Sequence, residues 1–280
     1  MSTLVSGEVY SLAETAKKAS DYFGALDPSK RKELISIGIP PIDNVLGGLF
    51  PGSCGILAAA NGVGKSSMAL TAAVHSTAKA GIINVEDTLD VTGTRAIAMY
   101  TGIDSLKIRR GDLNFQERSK IAGAMDRMGD EDGILFAYPT GGDMTEVLLS
   151  VEHLAEAGCR IVFLDYVQKI RGIKEDRVDE IATAYTKFQS ACAKSNVAAL
   201  VLSQFSRQYD PTREPTRYML KGTGDLENEA RIIILGWRDN EDPNLVRWKL
   251  DKSTFGGEFL RFQYRRDQSG TLCEVGKDYE

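Results

Sequence analysis

The sequence predicts an α/β domain with a mainly parallel central sheet, helices on both faces and an antiparallel C-terminal edge. Three observations predict it. From Ile35 onward, apolar runs of strand length alternate with helical patterns, the arrangement that buries a parallel sheet between two helix layers. One strand runs directly into a glycine-rich loop, Asn61-Gly62-Val63-Gly64-Lys65-Ser66-Ser67, and then into a helix. The last third contains three strand-like runs separated only by short polar turns.

Residues 1–34 are polar and alanine-rich, with a helical stretch at 11–23 that Asp27-Pro28 is expected to end. This is too short for a domain and reads as an arm or a docking helix. Residues 35–280 form the main domain. Strands are expected at 54–60, 81–85, 133–138, 160–164 and 197–203. Helices are expected at 65–79, 89–100, 115–128, 143–157 and 178–194. The late runs 231–237, 245–251 and 258–264 extend the sheet as an antiparallel edge. With 280 residues, 42% of them hydrophobic, the chain can bury a full core. No repeat or low-complexity segment is present. No apolar run approaches the roughly 20 residues of a membrane span, and the first thirty residues are polar and mixed in charge. A cytoplasmic protein without a membrane partner is expected. The four cysteines, Cys54, Cys159, Cys192 and Cys273, lie far apart without a CxxC pair and read as scattered core thiols in a reducing compartment.

The glycine-rich loop has the strand–loop–helix context that gives a Walker A motif its meaning. Small residues let backbone N–H groups turn inward around phosphates, at a helix N-terminus that already favours anions. Lys65 would reach the outer phosphates of a nucleotide and the Ser66 hydroxyl would ligate Mg²⁺. Ala59 stands where the motif's first glycine belongs. Hydrolysis needs two further groups: a carboxylate that holds the metal's water shell and another that polarises the attacking water. Asp165 ends the run 160–165 and fits the first role. Glu86 follows the strand 81–85 and fits the second, because ligands of a parallel sheet sit at its C-terminal strand ends. Asp87, next in the chain, competes with it.

These residues resemble the motor domain of the DnaB-type replicative DNA helicases, a RecA-like P-loop ATPase fold, from about Ser36 to Val275. Gly38-Ile39-Pro40 through Asp43 to Gly47-Gly48-Leu49 looks like the family's lead-in. The family's phosphate loop commonly starts with alanine, as at Ala59. Asn84-Val85-Glu86 resembles the segment carrying the catalytic glutamate, with Arg95 in the next helix. Leu164-Asp165-Tyr166-Val167-Gln168 resembles the Walker B strand. Leu202-Ser203-Gln204 looks like the strand end whose glutamine senses the γ-phosphate. Lys221-Gly222-Thr223-Gly224-Asp225 resembles the segment that holds the DNA backbone.

The resemblance implies ATP and Mg²⁺ as cofactors. Ala60, Asn61, Gly62, Val63, Gly64, Lys65, Ser66, Ser67 and Arg95 would bind nucleotide. Glu86, Lys65, Gln204 and Lys252 would act in catalysis, Lys252 on a neighbouring subunit's γ-phosphate, and Ser66 with Asp165 would hold the metal. It implies a homo-oligomer (a hexameric ring or a helical assembly), single-stranded DNA, and a primase or loader as partners. Arg207, Arg213, Arg217, Lys221 and Gly222 in one loop, with Arg171 and Lys174 in another, would contact DNA phosphates without reading bases.

Two departures stand out. The chain is expected to lack the family's N-terminal domain. Thr254 occupies the place of the arginine in the family's trans-acting Lys-x-Arg, with Arg231, Arg238, Arg261, Arg265 and Arg266 as substitutes. The net charge of −5 and pI near 5.3 exclude a protein coated in basic residues but leave local basic loops open. The expected function is an ATP-dependent DNA helicase in DNA replication. The alternative is a recombinase-like or loader-like DNA-binding ATPase, a nucleotide switch with slow turnover.

Overall fold

The computed structural model describes residues 10–130, 133–171, 178–206, 209–211, 213–220 and 223–275. The chain divides into two compact units, Met1–Leu34 and Ile35–Glu280. In the first, α1 (Leu12–Phe23) opens on a capping box in which Ser11 and Glu14 satisfy each other's backbone N–H groups. It ends at Gly24, whose left-handed backbone (φ 63°) closes the last turn before the chain reaches Asp27-Pro28. Asp27 instead caps a short 3₁₀ turn, Pro28–Lys30.

The second unit is built on β1 (Cys54–Ala59), β2 (Ala80–Asn84), β3 (Ile134–Ala137), β4 (Ile161–Asp165), β5 (Ala198–Gln204), β6 (Ile232–Arg238), β7 (Leu245–Ser253), β8 (Arg261–Arg266) and β9 (Leu272–Glu274). Among the described residues they form one nine-stranded sheet in the order β3-β2-β4-β5-β1-β6-β7-β8-β9. Pairing is parallel from β3 through β6 and antiparallel from β6 to β9. Of the three late runs the first, β6, thus joins the parallel block beside β1, and only the later strands form the antiparallel edge. The helices are α2 (Pro40–Leu46), α3 (Lys65–His75), α4 (Leu89–Thr101), α5 (Ser105–Arg110), α6 (Phe115–Asp130), α7 (Met144–Glu156), α8 (Val178–Lys194) and α9 (Thr223–Glu229).

Alternate side chains of the buried strands enter opposite cores. Leu57, Ile82, Phe163, Leu200 and Ile234 face Met68, Ala69 and Ala72 of α3, whereas Ile56, Ile83, Val162, Val201 and Ile233 face α7 and α8 through Val151, Tyr185 and Phe188. That two-sided burial explains why these strands read as continuous apolar runs.

The lead-in packs against α3. The Asp43 carboxylate accepts from the Ser36 hydroxyl and from the backbone N–H groups of Ile37 and Gly38, at 2.8–2.9 Å. Gly38 (φ 80°) is required there, since a Cβ would stand 1.8 Å from the Ala72 carbonyl oxygen. Gly236 has a similar reason: it lies opposite Trp248, whose ring would be 2.5 Å from an added Cβ.

Candidate active site

Parallel register brings the strand ends together. Ala59, the last residue of β1, lies abreast of Gln204 on β5, and Asn84 of β2 lies abreast of Asp165 on β4. A cleft of about 1000 Å³ opens above these ends, lined by the loop residues Ala60 to Gly62 and Gly64 to Ser67, by Glu86, Asp87, Arg95 and Gln204, and by the later residues Arg266 and Ser269 to Thr271.

The loop turns on Gly62 (φ 75°) and Gly64 (φ 118°), conformations that side chains disfavour. Gly64 is the N-cap of α3 and offers no side-chain cap, so the helix's first N–H groups face the cleft with their positive dipole. Lys65 is 8% exposed and donates to the carbonyls of Ala59 and Ala60 at 3.1 and 3.3 Å. Burial lowers its pKa, while the charges of Asp165 and Glu86 oppose that shift. Val63 points the other way, 4% exposed in the core under α3.

Asp165 is 3% exposed, and burial pushes its carboxyl up to about 6, against a hydrogen bond from Ser66 that lowers it. Its Oδ1 is buried and finds no hydrogen-bond partner among the described residues. A buried carboxylate oxygen without a donor, beside a serine hydroxyl, is a hard-oxygen donor set that fits Mg²⁺. On β2, the Asn84 side chain accepts from the N–H groups of Glu86 (3.2 Å) and Asp87 (2.8 Å), turning the chain so that both carboxylates reach the cleft. The two differ in their partners: Asp87 is ion-paired with Arg95. Glu86 makes no ion pair among the described residues, and burial, then the neighbouring Asp87 charge, raises its pKa. Gln204 lines the cleft, and Gln168 donates to Ser203 next to it at 2.8 Å.

Sequence reasoning missed several lining groups. Tyr166 and Lys169 follow Asp165, and Ser269-Gly270-Thr271 forms the β8–β9 turn, ordered by Asp267, which accepts from the N–H groups of Ser269 and Thr271. A polar turn far along the chain carries no motif that would reveal this. Arg238 and Arg266, considered as substitutes for an arginine supplied to a neighbour, bond to their own phosphate loop. Arg238 donates to the Gly62 carbonyl at 2.6 Å, and Arg266 donates to those of Gly62 and Val63 at 3.1 and 2.7 Å. Arg261 pairs with Glu214 at 3.0 Å and Arg265 with Asp242 at 2.6 Å, while Arg231 is exposed. Lys252 lies outside the cleft and donates to the last carbonyls of α9, those of Glu227 and Asn228.

Of the basic loop residues, Arg207, Lys174, Lys221 and Gly222 lie outside the described residues. Arg213 is exposed and stands 3.6 Å from Asp210. Arg217 is tied to Asp251 at 3.7 Å, and Asp251 also pairs with the buried Lys249. Arg171 is exposed, its backbone N–H bonded to the Gly142 carbonyl at 2.7 Å.

Comparison with known proteins gives a consistent picture. The model of the family described as DnaB-like helicase C terminal domain matches residues 35–255. The replicative DNA helicase DnaB of Pasteurella multocida is 24% identical over 261 residues, 84% of this chain, and the chain spans only 56% of that relative's length. A solved ATPase domain superposes with a TM-score of 0.81 at 20% identity, over 96% of this chain and 100% of its own. A DnaB-like replicative helicase, whose structure describes its interactions with primase, superposes with a TM-score of 0.80 at 19% identity, over 98% of this chain and 69% of its own. The matched span runs from the lead-in through the phosphate loop to the end of β7, and the chain belongs to the DnaB-like helicase C-terminal domain family.

Proposed function

We propose that this domain binds ATP with Mg²⁺ in the cleft, hydrolyses it, and uses the cycle to move along single-stranded DNA as the motor of a replicative DNA helicase. The observation that supports this most is the convergence of Lys65 and Ser66 at the α3 N-terminus with the orphaned oxygen of Asp165 and with Glu86. The N–H groups of the loop and of α3 hold the phosphates, and Lys65 leaves its carbonyl partners for the outer ones. Ser66 and Asp165 hold Mg²⁺, which when bound offsets charge on the phosphate oxygens. Glu86, made more basic by burial and by Asp87, takes a proton from water as the water oxygen bonds to the γ-phosphorus. The bond to the bridging oxygen breaks and its electron pair leaves with ADP. Arg95 keeps Asp87 occupied, so that Glu86 alone serves as base. Gln204 reports the γ-phosphate to the segment beyond β5, where Arg213 and Arg217, with Arg171 on the other loop, contact DNA phosphates. Arg207, Lys174, Lys221 and Gly222 belong to the same proposed surface.

The assembly is a homo-oligomer, a ring or a helical array, in which Lys252 reaches the neighbour's γ-phosphate and α1 docks on an adjacent copy. The exposed Leu12, Phe23 and Leu26 support that docking. A primase or loader is the proposed protein partner, in the cytoplasm. No described helix is long and apolar enough to cross a membrane.

A second reading, a slow nucleotide-controlled DNA-binding switch, is favoured by one observation: Lys252 is bound to α9 and Thr254 offers no charge beside it. Duplex unwinding, measured with DNA-stimulated ATP hydrolysis, separates the two. Unwinding that depends on ATP supports the motor. Tight DNA binding with MgATP and no unwinding supports the switch, and turnover raised about tenfold by Thr254→Arg would confirm that a missing charge limits it. Failure to bind MgATP at all sinks both.

A further inference from the structure

Four cations line the cleft: Lys65, Arg95, Lys169 and Arg266. Three already have partners. Lys65 donates to Ala59 and Ala60, Arg95 pairs with Asp87, and Arg266 bonds to the carbonyls of Gly62 and Val63. Lys169 alone makes neither an ion pair nor a side-chain hydrogen bond among the described residues.

Its position is nevertheless well determined. It ends the 3₁₀ turn Val167–Lys169 that follows β4, and both residues before it are buried. The Gln168 amide locks the turn to Ser203 of β5, one residue before Gln204. The Lys169 backbone N–H closes the turn on the Tyr166 carbonyl at 3.1 Å. A fixed base therefore carries an exposed lysine into the cleft just past β4, the strand between β2, which leads to Glu86, and β5, which ends at Gln204. Its charge acts on Glu86 more strongly than that of Lys65 or Arg95. A cation that lines a cleft beside two carboxylates and has no partner among the described residues has two roles open to it: to pair with a carboxylate, which it does not do among those residues, or to meet an incoming anion.

We infer that Lys169 is a phosphate-binding residue of the same subunit, contacting the terminal phosphate of a bound nucleoside triphosphate. This rests on the cleft being the nucleotide site. A lysine placed there acts as a point charge on a flexible stem. It stabilises the charge on the γ-phosphoryl oxygens, and it has nothing to bind when the nucleotide is a diphosphate. The contact is also independent of the assembly, because it needs no group from a neighbour.

The test is calorimetric titration of MgADP and of a non-hydrolysable MgATP analogue into the full chain and its Lys169→Ala, Lys169→Arg and Lys65→Ala variants, together with steady-state ATP turnover. Lys169→Ala should bind MgADP as the parent does, bind the ATP analogue about tenfold more weakly, and turn over at least about tenfold more slowly. Lys169→Arg should restore most of both. If Lys169→Ala matches the parent on both ligands and in turnover while Lys65→Ala has lost both ligands, the role of Lys169 is overturned and the nucleotide site stands. Equal loss of both ligands in Lys169→Ala, with an unchanged thermal midpoint, also overturns contact with the terminal phosphate. A parent chain that binds neither nucleotide, or a Lys65→Ala variant that binds both unchanged, overturns the nucleotide site itself and this inference with it.

Discussion

At the parallel strand ends, β1, β2 and β5 place Lys65, Glu86 and Gln204 around one cleft, and β4 ends on Asp165, buried beside the lining Ser66. There, Asp165 Oδ1 lacks a donor and Glu86 makes no ion pair among the described residues. On β6 and the antiparallel strands β7 and β8 that follow it, Arg238, Lys252, Arg261, Arg265 and Arg266 are each bonded within the chain. One region keeps charge desolvated and incompletely paired, the condition that marks sites built to receive a ligand. The other uses charge to hold loops: the phosphate loop through Arg238 and Arg266, and the segment at 214–217 through Lys249, Arg261 and Asp251. The sign of a residue thus says little about its task here; whether its partner lies in the chain says more.

The strongest test of this contrast is on the parallel side. Lys65→Ala should weaken MgATP-analogue binding by roughly 10²–10⁴-fold, since charge-assisted hydrogen bonds to phosphate contribute about 1.5–3 kcal/mol each. Calorimetry that finds unchanged affinity removes the phosphate-loop assignment. Next, Glu86→Gln should keep nucleotide affinity and slow hydrolysis at least about 10²-fold. Asp87→Asn, which loses the partner of Arg95 and one of the causes that raise Glu86, should slow it less; the reverse order in a turnover assay would move the base by one residue.

On the antiparallel edge the effects should be smaller and indirect. Arg266→Ala together with Arg238→Ala should raise the nucleotide dissociation constant about tenfold, because three hydrogen bonds to the loop's carbonyls are gone. Either single variant should cost less, as both arginines share the Gly62 carbonyl. A double variant that binds nucleotide like the parent would show that the loop holds its shape unaided.

The pH dependence follows from Asp165. Its pKa of about 6 lies above the ordinary 3.8, so the folded metal-free protein keeps a proton that the unfolded chain releases. The resulting cost to stability is fully present above pH 6 and fades as pH falls to 3.8. Asp165→Asn should therefore stabilise the protein in a chelator at pH 8 by up to ~3 kcal/mol and give no gain near pH 4. Urea midpoints at the two pH values check this, and an equal gain at both would refute the desolvated carboxylate. Smallest of all, alanine at Arg213 should flatten the salt dependence of single-strand binding by up to about 0.7 in log–log slope. An unaltered slope would place the strand elsewhere.

How much of this was legible along the chain depends on how local the cause is. The parallel strands could be found because two-sided burial writes continuous apolar runs. The glycine-rich loop could be found because its glycines, lysine and serine lie next to one another in the chain. Asp165 and Glu86 were legible as carboxylates at strand ends, yet the difference between Glu86 and Asp87 was not, since the pairing of Asp87 with Arg95 is set by how α4 packs. The helices α2, α5 and α9 and the short β9 were missed, being six or seven residues long, or three for β9, below the length at which periodicity is readable.

The class of sheet, the strand that runs into the glycine-rich loop, and the residue types at the strand ends are all readable along the chain. These follow from patterns that are contiguous in the chain: alternation, glycine spacing, a charge after an apolar run. Where the distant cations point is set instead by packing between segments far apart in the chain. Arg238 and Arg266 are 176 and 204 residues from the carbonyl they share, Lys169 is 83 residues beyond Glu86 in the numbering, and nothing local fixes those distances. They are set by β6 inserting beside β1 and by β8 and β9 bringing their turn back to the loop. A long flexible side chain takes whatever anion or carbonyl that packing puts within reach, so its partner is a property of the fold and not of its neighbours in the chain.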